Sequence, residues 1–225
     1  MTRGFELMSK LRQFSLILAV VTILTPLGMG NPGFAKKADD SALSPAAIER
    51  CTRDNTMAEA LRNMSQVKTA SKSLHLLLEL PMRVVFKDMK SLGKGLANYD
   101  ALSWINDHGE HIIFVNEKHR HAPSQAVAAM LAHEAMHNDP YNSLKEEVAG
   151  WTVEARVWQA FKKLYPELDA IPPGKYPLVD RENRLDTEEE SGNLDNFVRI
   201  NPGYRNLPDR SPGFGINASE ITPNS

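Results

Sequence analysis

Cysteine is almost absent from this chain, which has Cys51 as its single cysteine in 225 residues. A lone cysteine cannot form a disulfide within one molecule, so a small scaffold held by disulfides is excluded. Cys51 also lacks the preceding apolar stretch that a lipoprotein signal would need. The fold must therefore be stabilised mainly by an apolar core.

The chain also has no large excess of positive or negative charge. The chain has 26 basic and 28 acidic residues, which gives a net charge of −2. The basic residues are mixed with acids and form no stripe, so nucleic acid is excluded as a partner. A hydrophobic content of 42% is typical of one globular domain with appended segments. The acidic run Asp186–Glu190 is expected to begin a solvated helix.

The longest apolar stretch near the amino terminus, Phe14–Leu24, is shorter than the roughly 20 residues that span a membrane. Basic residues precede it, and Gly33–Ala35 offers the small side chains that a signal peptidase needs. Residues 1–35 are therefore predicted to be a signal peptide, and the mature protein to be exported to a periplasm or the exterior. An anchor that stays uncleaved is the alternative.

Three further segments are predicted after the signal peptide. Residues 36–80 hold apolar side chains at helical spacing and stop before Pro81. Residues 81–165 form a central segment, and residues 166–225 form a partly irregular extension that holds eight of the fourteen prolines.

The central segment begins with three runs that favour strands, namely Arg83–Lys87, Ala101–Ile105 and His111–Val115. A turn at Asn106–Gly109 separates the last two runs. The pattern predicts a small antiparallel sheet.

A pentapeptide with two histidines four residues apart follows the sheet: His133-Glu134-Ala135-Met136-His137. Residues at this spacing lie on one face of a helix, so both imidazoles can bind one metal ion while Glu134 reaches its water. The preceding residues, Ala126–Ala132, are apolar on every face, which indicates a buried helix. Polar groups in such a helix need partners, and a metal ion would satisfy them.

A second helix is predicted from Ser143, a good N-cap, through Tyr165. Its first turn carries Glu146 and Glu147, and either carboxylate could supply a third metal ligand. Asp139 and a more distant histidine are further alternatives. Glu146 could instead form a capping box with Ser143.

The pentapeptide resembles the H-E-x-x-H motif of the zincin metallopeptidases. The sequence Glu146, Ala149, Trp151 is similar to the pattern around the glutamate ligand of gluzincins, and this likeness favours Glu146 as the third ligand. The resemblance covers roughly residues 83–164. Gly150 stands where many gluzincins carry an aspartate that orients a ligand histidine, which is a departure from that pattern. Glu154 is expected to lie outside the ligand set, either beside a ligand or on the surface.

The resemblance implies an α+β fold, a minimal zincin-like domain in which a small antiparallel sheet precedes the active-site helix. It also implies a zinc ion held by His133, His137 and Glu146, with Glu134 as general base. An edge strand of the sheet would bind the substrate backbone, and the strand that ends near Asn116 is the candidate.

The predicted activity is hydrolysis of peptide bonds in a peptide or protein substrate by an exported zinc metallopeptidase. Three alternatives remain: an amidase acting on another amide such as a cell-wall peptide, a silent zinc-binding module, and a membrane-anchored structural protein. Attack of water on the substrate carbonyl forms an oxyanion, which a further side chain would stabilise. Five side chains are chemically able to do so: Tyr141, Tyr165, Tyr176, His119 and His121.

Overall fold

The computed structural model describes residues 43–80, 82–106, 108–137 and 141–210, and helices account for most of these residues. The predicted signal peptide at 1–35, the predicted helix stop at Pro81 and the alternative ligand Asp139 lie outside these ranges. The described residues combine helices with one small sheet, which confirms the predicted α+β class. Among them, no helix has both the length and the apolar character needed to cross a membrane.

The amino-terminal part of the described chain is helical, as predicted. It contains α1 (Pro45–Cys51), α2 (Asn55–Met64) and α3 (Ser71–Glu79). Ser44 caps α1 and Asp54 caps α2, each by accepting hydrogen bonds from amides of the first turn. The leucines of α3 face inward at Leu74, Leu77 and Leu78. This stripe is therefore part of the core.

The sheet has three strands, β1 (Arg83–Lys87), β2 (Ala101–Ile105) and β3 (His111–Asn116), in the order β1-β3-β2. A short helix, α4 (Met89–Leu92), lies in the connection between β1 and β2. The pairing of β2 with β3 is antiparallel, but β1 runs parallel to β3. The prediction of an all-antiparallel sheet was thus wrong for one of the two pairings.

The central position of β3 also overturns the prediction that this strand is the substrate-binding edge. Ile113 and Val115 of β3 are fully buried, and the strand has a pairing partner on each side. The strand that buries most apolar surface occupies the middle of the sheet, where both faces and both edges are covered. Among the described strands, β1 and β2 are the ones with an unpaired edge.

Two helices follow the sheet and pack against each other. Helix α5 spans Ser124–Glu134, and every residue from Ala126 to Glu134 in it is buried. Helix α6 spans Leu144–Leu164 and begins at the predicted N-cap, where Ser143 Oγ accepts a hydrogen bond from the Glu146 amide. The buried face of α6 meets α5, so the two elements that carry the candidate ligands are held together by the core.

Two more helices come from the extension, α7 (Pro177–Glu190) and α8 (Leu194–Arg199). The acidic run Asp186–Glu190 ends α7, so its predicted place at a helix start was wrong. Proline is favoured in the first turn of a helix, and Pro177 sets the start nine residues before the run.

The main core draws on nearly all these elements. Its members come from α1, α2, α3, β1, β3, α5, α6 and α7 and include Met57, Leu61, Met130, Leu131, Trp158, Phe161 and Leu178. A smaller cluster joins α6 to α7 and α8 through Ala155, Leu185, Leu194 and Val198. The segments predicted at 36–80, 81–165 and 166–225 therefore share buried surface.

The chain after α8 closes the amino terminus of α6. The Leu144 amide donates to the Pro208 carbonyl at 2.8 Å, and the Lys145 amide donates to the Asp209 carbonyl at 3.1 Å. The first amides of a helix have no partner within the helix, so this return of the chain satisfies two of them.

Candidate metal centre

The carboxyl end of α5 brings the two histidines of the pentapeptide together. Their Nε2 atoms are 3.2 Å apart. Two nitrogen ligands at the usual zinc distance in a tetrahedral site would be about 3.3 Å apart, so this spacing suits a single ion. His133 is almost completely buried, and His137 exposes 14% of its side chain. The pair is therefore mostly buried, with part of the His137 side chain accessible to solvent.

Glu147 is the carboxylate that faces the pair. Its Oε2 is 3.6 Å from His133 Nε2, and its Oε1 is 3.8 Å from His137 Nε2. Asn142 Nδ2 donates to Oε1 at 2.5 Å and Trp151 Nε1 donates to Oε2 at 3.2 Å, which fixes the carboxylate. His133, His137 and Glu147 thus form a buried group that could hold a metal ion, with one ligand atom from each within 4.8 Å of the others.

Glu146, the third ligand predicted from the sequence, lies elsewhere. It is fully buried, and its Oε1 is 2.9 Å from Nδ1 of His137, the ring nitrogen that points away from the pair. Successive residues of a helix point about 100° apart, so only one of two adjacent glutamates can face the Nε2 atoms. The geometry gives that position to Glu147 and makes Glu146 the partner that orients His137.

His133 is oriented in the same way by a carboxylate about two turns further along α6. Its Nδ1 is 2.8 Å from Oε2 of Glu154, whose side chain is fully buried. Glu154 therefore lies outside the group, as expected. The sequence holds a signal for it, because Glu147 and Glu154 are seven residues apart and share a helix face.

Gly150 lies between these two glutamates and directly under the His133 ring. A Cβ atom built on Gly150 would be 2.7 Å from His133 Nε2 and closer still to Cδ2. The residue that departs from the gluzincin pattern thus leaves room for the imidazole, while Glu154 supplies the orienting carboxylate.

The carboxylates on both Nδ1 atoms determine which tautomer each ring adopts. A carboxylate accepts the Nδ1–H hydrogen bond, so Nε2 is the nitrogen that can bind a cation once its own proton is released. Burial alone would lower the pKa of His133, but the nearby carboxylates of Glu147 and Glu154 outweigh it and raise the pKa to about 10. Burial would raise the pKa of Glu147, yet the histidines hold it at about 2. The unmetallated group is thus a buried cluster of opposite charges.

Glu134, the predicted general base, is buried with 9% of its surface exposed. Burial raises its pKa, whereas the neighbouring charges of His133 and His137 lower it. Glu134 therefore belongs to the same electrostatic environment as the histidines, and its carboxylate favours a bound proton more than an exposed glutamate does.

Tyr204 is a residue at this centre that the sequence did not reveal. Its hydroxyl accepts a hydrogen bond from Trp151 Nε1 at 3.1 Å, beside Glu147. Burial raises its pKa, and the charge of Glu147 raises it further. Tyr204 lies 57 positions beyond Glu147 in the irregular extension, where no local pattern marks it.

The five side chains predicted as oxyanion candidates are placed in different surroundings. His119 is buried and bonded to Asp100 at 2.8 Å, and Tyr165 bonds to Gln66. Tyr141 is 55% exposed. Neither His121 nor Tyr176 belongs to the metal-binding group.

Strand β2 is tied to the histidine pair by a serine. Ser103 Oγ donates to the His137 carbonyl at 3.1 Å and is 2.5 Å from His111 Nε2. The edge of the sheet therefore lies next to the end of α5. A neutral His111 suits this arrangement because its Nε2–H can donate to the serine oxygen.

We predict that His111 makes the metal-free protein sensitive to mild acid. Burial, aided by the charge of His137, lowers the pKa of His111 from 6.5 to about 4. The folded state thus binds fewer protons than the unfolded state in this interval. Stability present above pH 6.5 should fall by about 3 kcal/mol as the pH drops through 4.

Denaturant unfolding at pH 7 and pH 4.5 checks this prediction. His111→Gln should show a smaller loss between the two pH values than the wild-type protein. His108→Gln is the control, because His108 is exposed on the adjacent turn. An equal loss in the wild-type protein and in His111→Gln would contradict the assignment.

No protein-family model, curated protein or solved structure matches the chain.

Proposed function

We propose that the protein is a zinc-dependent metallopeptidase in which His133, His137 and Glu147 hold the metal and Glu134 is the general base. The observation that carries the proposal is the 3.2 Å approach of two Nε2 atoms whose Nδ1 atoms are both bonded to buried carboxylates. Burying so many polar groups is costly, and a divalent cation would offset that cost.

The donor set favours zinc among the common cations. Two imidazole nitrogens and one carboxylate oxygen are typical of catalytic zinc, which keeps a fourth position for water or substrate. The partial exposure of His137 gives that position access to solvent. Bound zinc would supply Lewis acidity, which activates water and polarises a carbonyl.

Glu134 would move the proton in this reaction. A carboxylate next to the water accepts its proton as the attack on the carbonyl begins and passes it to the departing amine. The raised pKa of Glu134 brings this residue closer to neutral pH, where a proton can be both accepted and released.

The substrate backbone would bind along β2. Within the described residues β2 pairs only with β3, and Ser103 joins it to the carbonyl of His137. A peptide added to this edge as an extra strand would run beside the metal-binding group. Trp104, which is 37% exposed on β2, would contact a side chain of that peptide. We infer an exported enzyme from the signal-like features of residues 1–35.

Glu134→Gln tests the proposal. The amide keeps the shape of the side chain but cannot take up a proton, so turnover should fall by about 100-fold or more. Zinc content should stay close to that of the wild type because Glu134 is not a proposed ligand. Elemental analysis and cleavage of a peptide panel that includes muropeptides give the two readouts.

Glu79→Gln serves as the control for this substitution, since Glu79 is 65% exposed and its partner is the surface histidine His75. It should retain full turnover. Undiminished turnover in Glu134→Gln would exclude Glu134 as the base, and a wild-type protein without bound zinc would exclude the metallopeptidase altogether. Cleavage of muropeptides alone would indicate the amidase.

A further inference from the structure

Arg181 reaches the candidate metal centre from α7 without touching a proposed ligand. Its guanidinium lies between three carboxylates: Glu154 Oε1 at 2.6 Å, Asp100 Oδ2 at 3.8 Å and Glu182 Oε1 at 4.0 Å. Only 17% of the Arg181 side chain is exposed, and both Glu154 and Glu182 are fully buried. Burial raises the pKa of Glu182 well above its usual value, whereas the pKa values of Glu154 and Asp100 are lowered, so these two carboxylates supply the negative charge that holds the guanidinium in one place.

The first connection to the metal centre runs through Glu154. Nη2 of Arg181 donates to both oxygens of Glu154, at 2.6 and 2.8 Å. Oε2 of the same carboxylate also faces Nδ1 of His133 at 2.8 Å. A carboxylate held at both oxygens cannot rotate freely, so Arg181 determines the direction from which Glu154 meets the imidazole.

The second connection runs through Trp151. The guanidinium carbon of Arg181 lies 4.8 Å from the centre of the Trp151 ring, which in turn meets the His133 ring at 5.3 Å and 64°. Trp151 Nε1 donates to Oε2 of Glu147 at 3.2 Å. One indole thus contacts two of the three proposed ligands while Arg181 covers one of its faces.

We propose that Arg181 is a positioning residue that sets zinc affinity by fixing Glu154 and Trp151, and through them His133 and Glu147. This role rests on the proposed function. The ligands sit in place before the metal arrives, so binding does not have to order them. The planar guanidinium suits both contacts, because one edge donates to a carboxylate while its face stacks on an aromatic ring.

The alternative explanation is that Arg181 only stabilises the packing of α7 against α6. The same two helices are joined by Arg156, whose Nε donates to Glu189 Oε1 at 2.7 Å. That pair is more exposed, with 34% of Arg156 and 18% of Glu189 accessible, and it makes no contact with the metal-binding group. Arg156→Met therefore provides a matched control that removes an ion pair between the helices and leaves the centre unchanged.

Zinc affinity of the full chain, measured by competition with a chromophoric chelator, tests the proposal. Arg181→Met should weaken the zinc Kd by about tenfold or more, the range seen when partners of metal ligands are lost. Arg181→Lys should recover part of this loss, because it keeps the charge but not the stacked plane. Arg156→Met should keep the wild-type Kd.

Coupling between substitutions separates positioning from a general loss of stability. If Arg181 acts through Glu154 and Trp151, Arg181→Met should weaken zinc binding far less in a Glu154→Gln, Trp151→Phe background than in the wild type. The absorption spectrum of the cobalt-loaded protein should change in Arg181→Met and not in Arg156→Met, since it reports the arrangement of the ligands. Should Arg181→Met fail to fold, Arg181→Lys and Trp151→Phe give the same readouts.

The outcomes distinguish this role from the proposed function. Tight zinc binding by the wild type with an unchanged Kd and cobalt spectrum in folded Arg181 variants overturns the role of Arg181 and leaves the metallopeptidase standing. Equal weakening in Arg156→Met also overturns it, because helix adhesion would then be the cause. A wild-type protein that binds no zinc overturns both.

Discussion

Glu147→Ala is expected to abolish most zinc binding, whereas Glu146→Ala should only weaken it. Glu147 is the carboxylate within 3.6 to 3.8 Å of both Nε2 atoms, so its removal leaves a two-ligand site. Glu146 contacts the far nitrogen of His137, and loss of such a partner typically costs 10- to 100-fold in affinity. We expect a loss well beyond 100-fold for Glu147→Ala.

Chelator competition on both variants, with exposed Glu167→Ala as the control, measures the order of the two effects. The ranking is the reverse of the one implied by the gluzincin-like pattern around Glu146. Stronger loss in Glu146→Ala would restore that pattern and require α6 to turn by about 100° at its first turn when zinc binds.

Gly150→Ala, which adds a single methyl group, is also expected to cause a large loss of zinc affinity. Alanine in place of glycine within a helix usually stabilises by about 1 kcal/mol. Here the added methyl group would lie 2.7 Å from His133 Nε2, in a space bounded by buried side chains of α5 and α6. His133 would have to leave its place opposite His137, so zinc affinity should fall by about 100-fold or more and the gain in stability should be lost.

Gly95→Ala is the matched control, since no atom lies within 4 Å of a Cβ built on Gly95. It should change neither zinc affinity nor the free energy of unfolding appreciably. The two measurements are chelator competition and denaturant unfolding of the metal-free protein. A zinc affinity in Gly150→Ala equal to that of the wild type would show that the His133 ring can move away without losing its role.

The part of the site that the sequence predicts well is the part fixed by local helical geometry. The spacing of His133 and His137 requires them to share a face once Ala126–Ala132 is helical, and the structure places their Nε2 atoms 3.2 Å apart. Helical spacing does not decide whether Glu146 or Glu147 faces the Nε2 atoms. That choice depends on the rotation of α6 about its axis, which is set by packing against α5 and by the chain between the two helices.

Contacts between segments far apart in the sequence could not be predicted from local sequence patterns. Arg181 and Tyr204 come from an extension that was predicted to be partly irregular, and both reach the surroundings of Glu147 through Trp151. The sheet illustrates the same limit: all three strands were found close to their observed bounds, but their order depends on which strand buries most surface. The strand propensity of a short segment does not show which strand will take the central position in the sheet.

The hydrogen bonds of Pro208 and Asp209 to the first amides of α6 determine how far the protein can be shortened from its carboxyl end. Residues 200–210 lack regular secondary structure, and a boundary drawn from helices and strands alone would cut them away. Such trimming would strip two hydrogen-bond acceptors from the very turn that carries Glu147, and it would take the Tyr204 phenol with it. The smallest fragment that preserves the metal-binding group must therefore extend at least to Asp209.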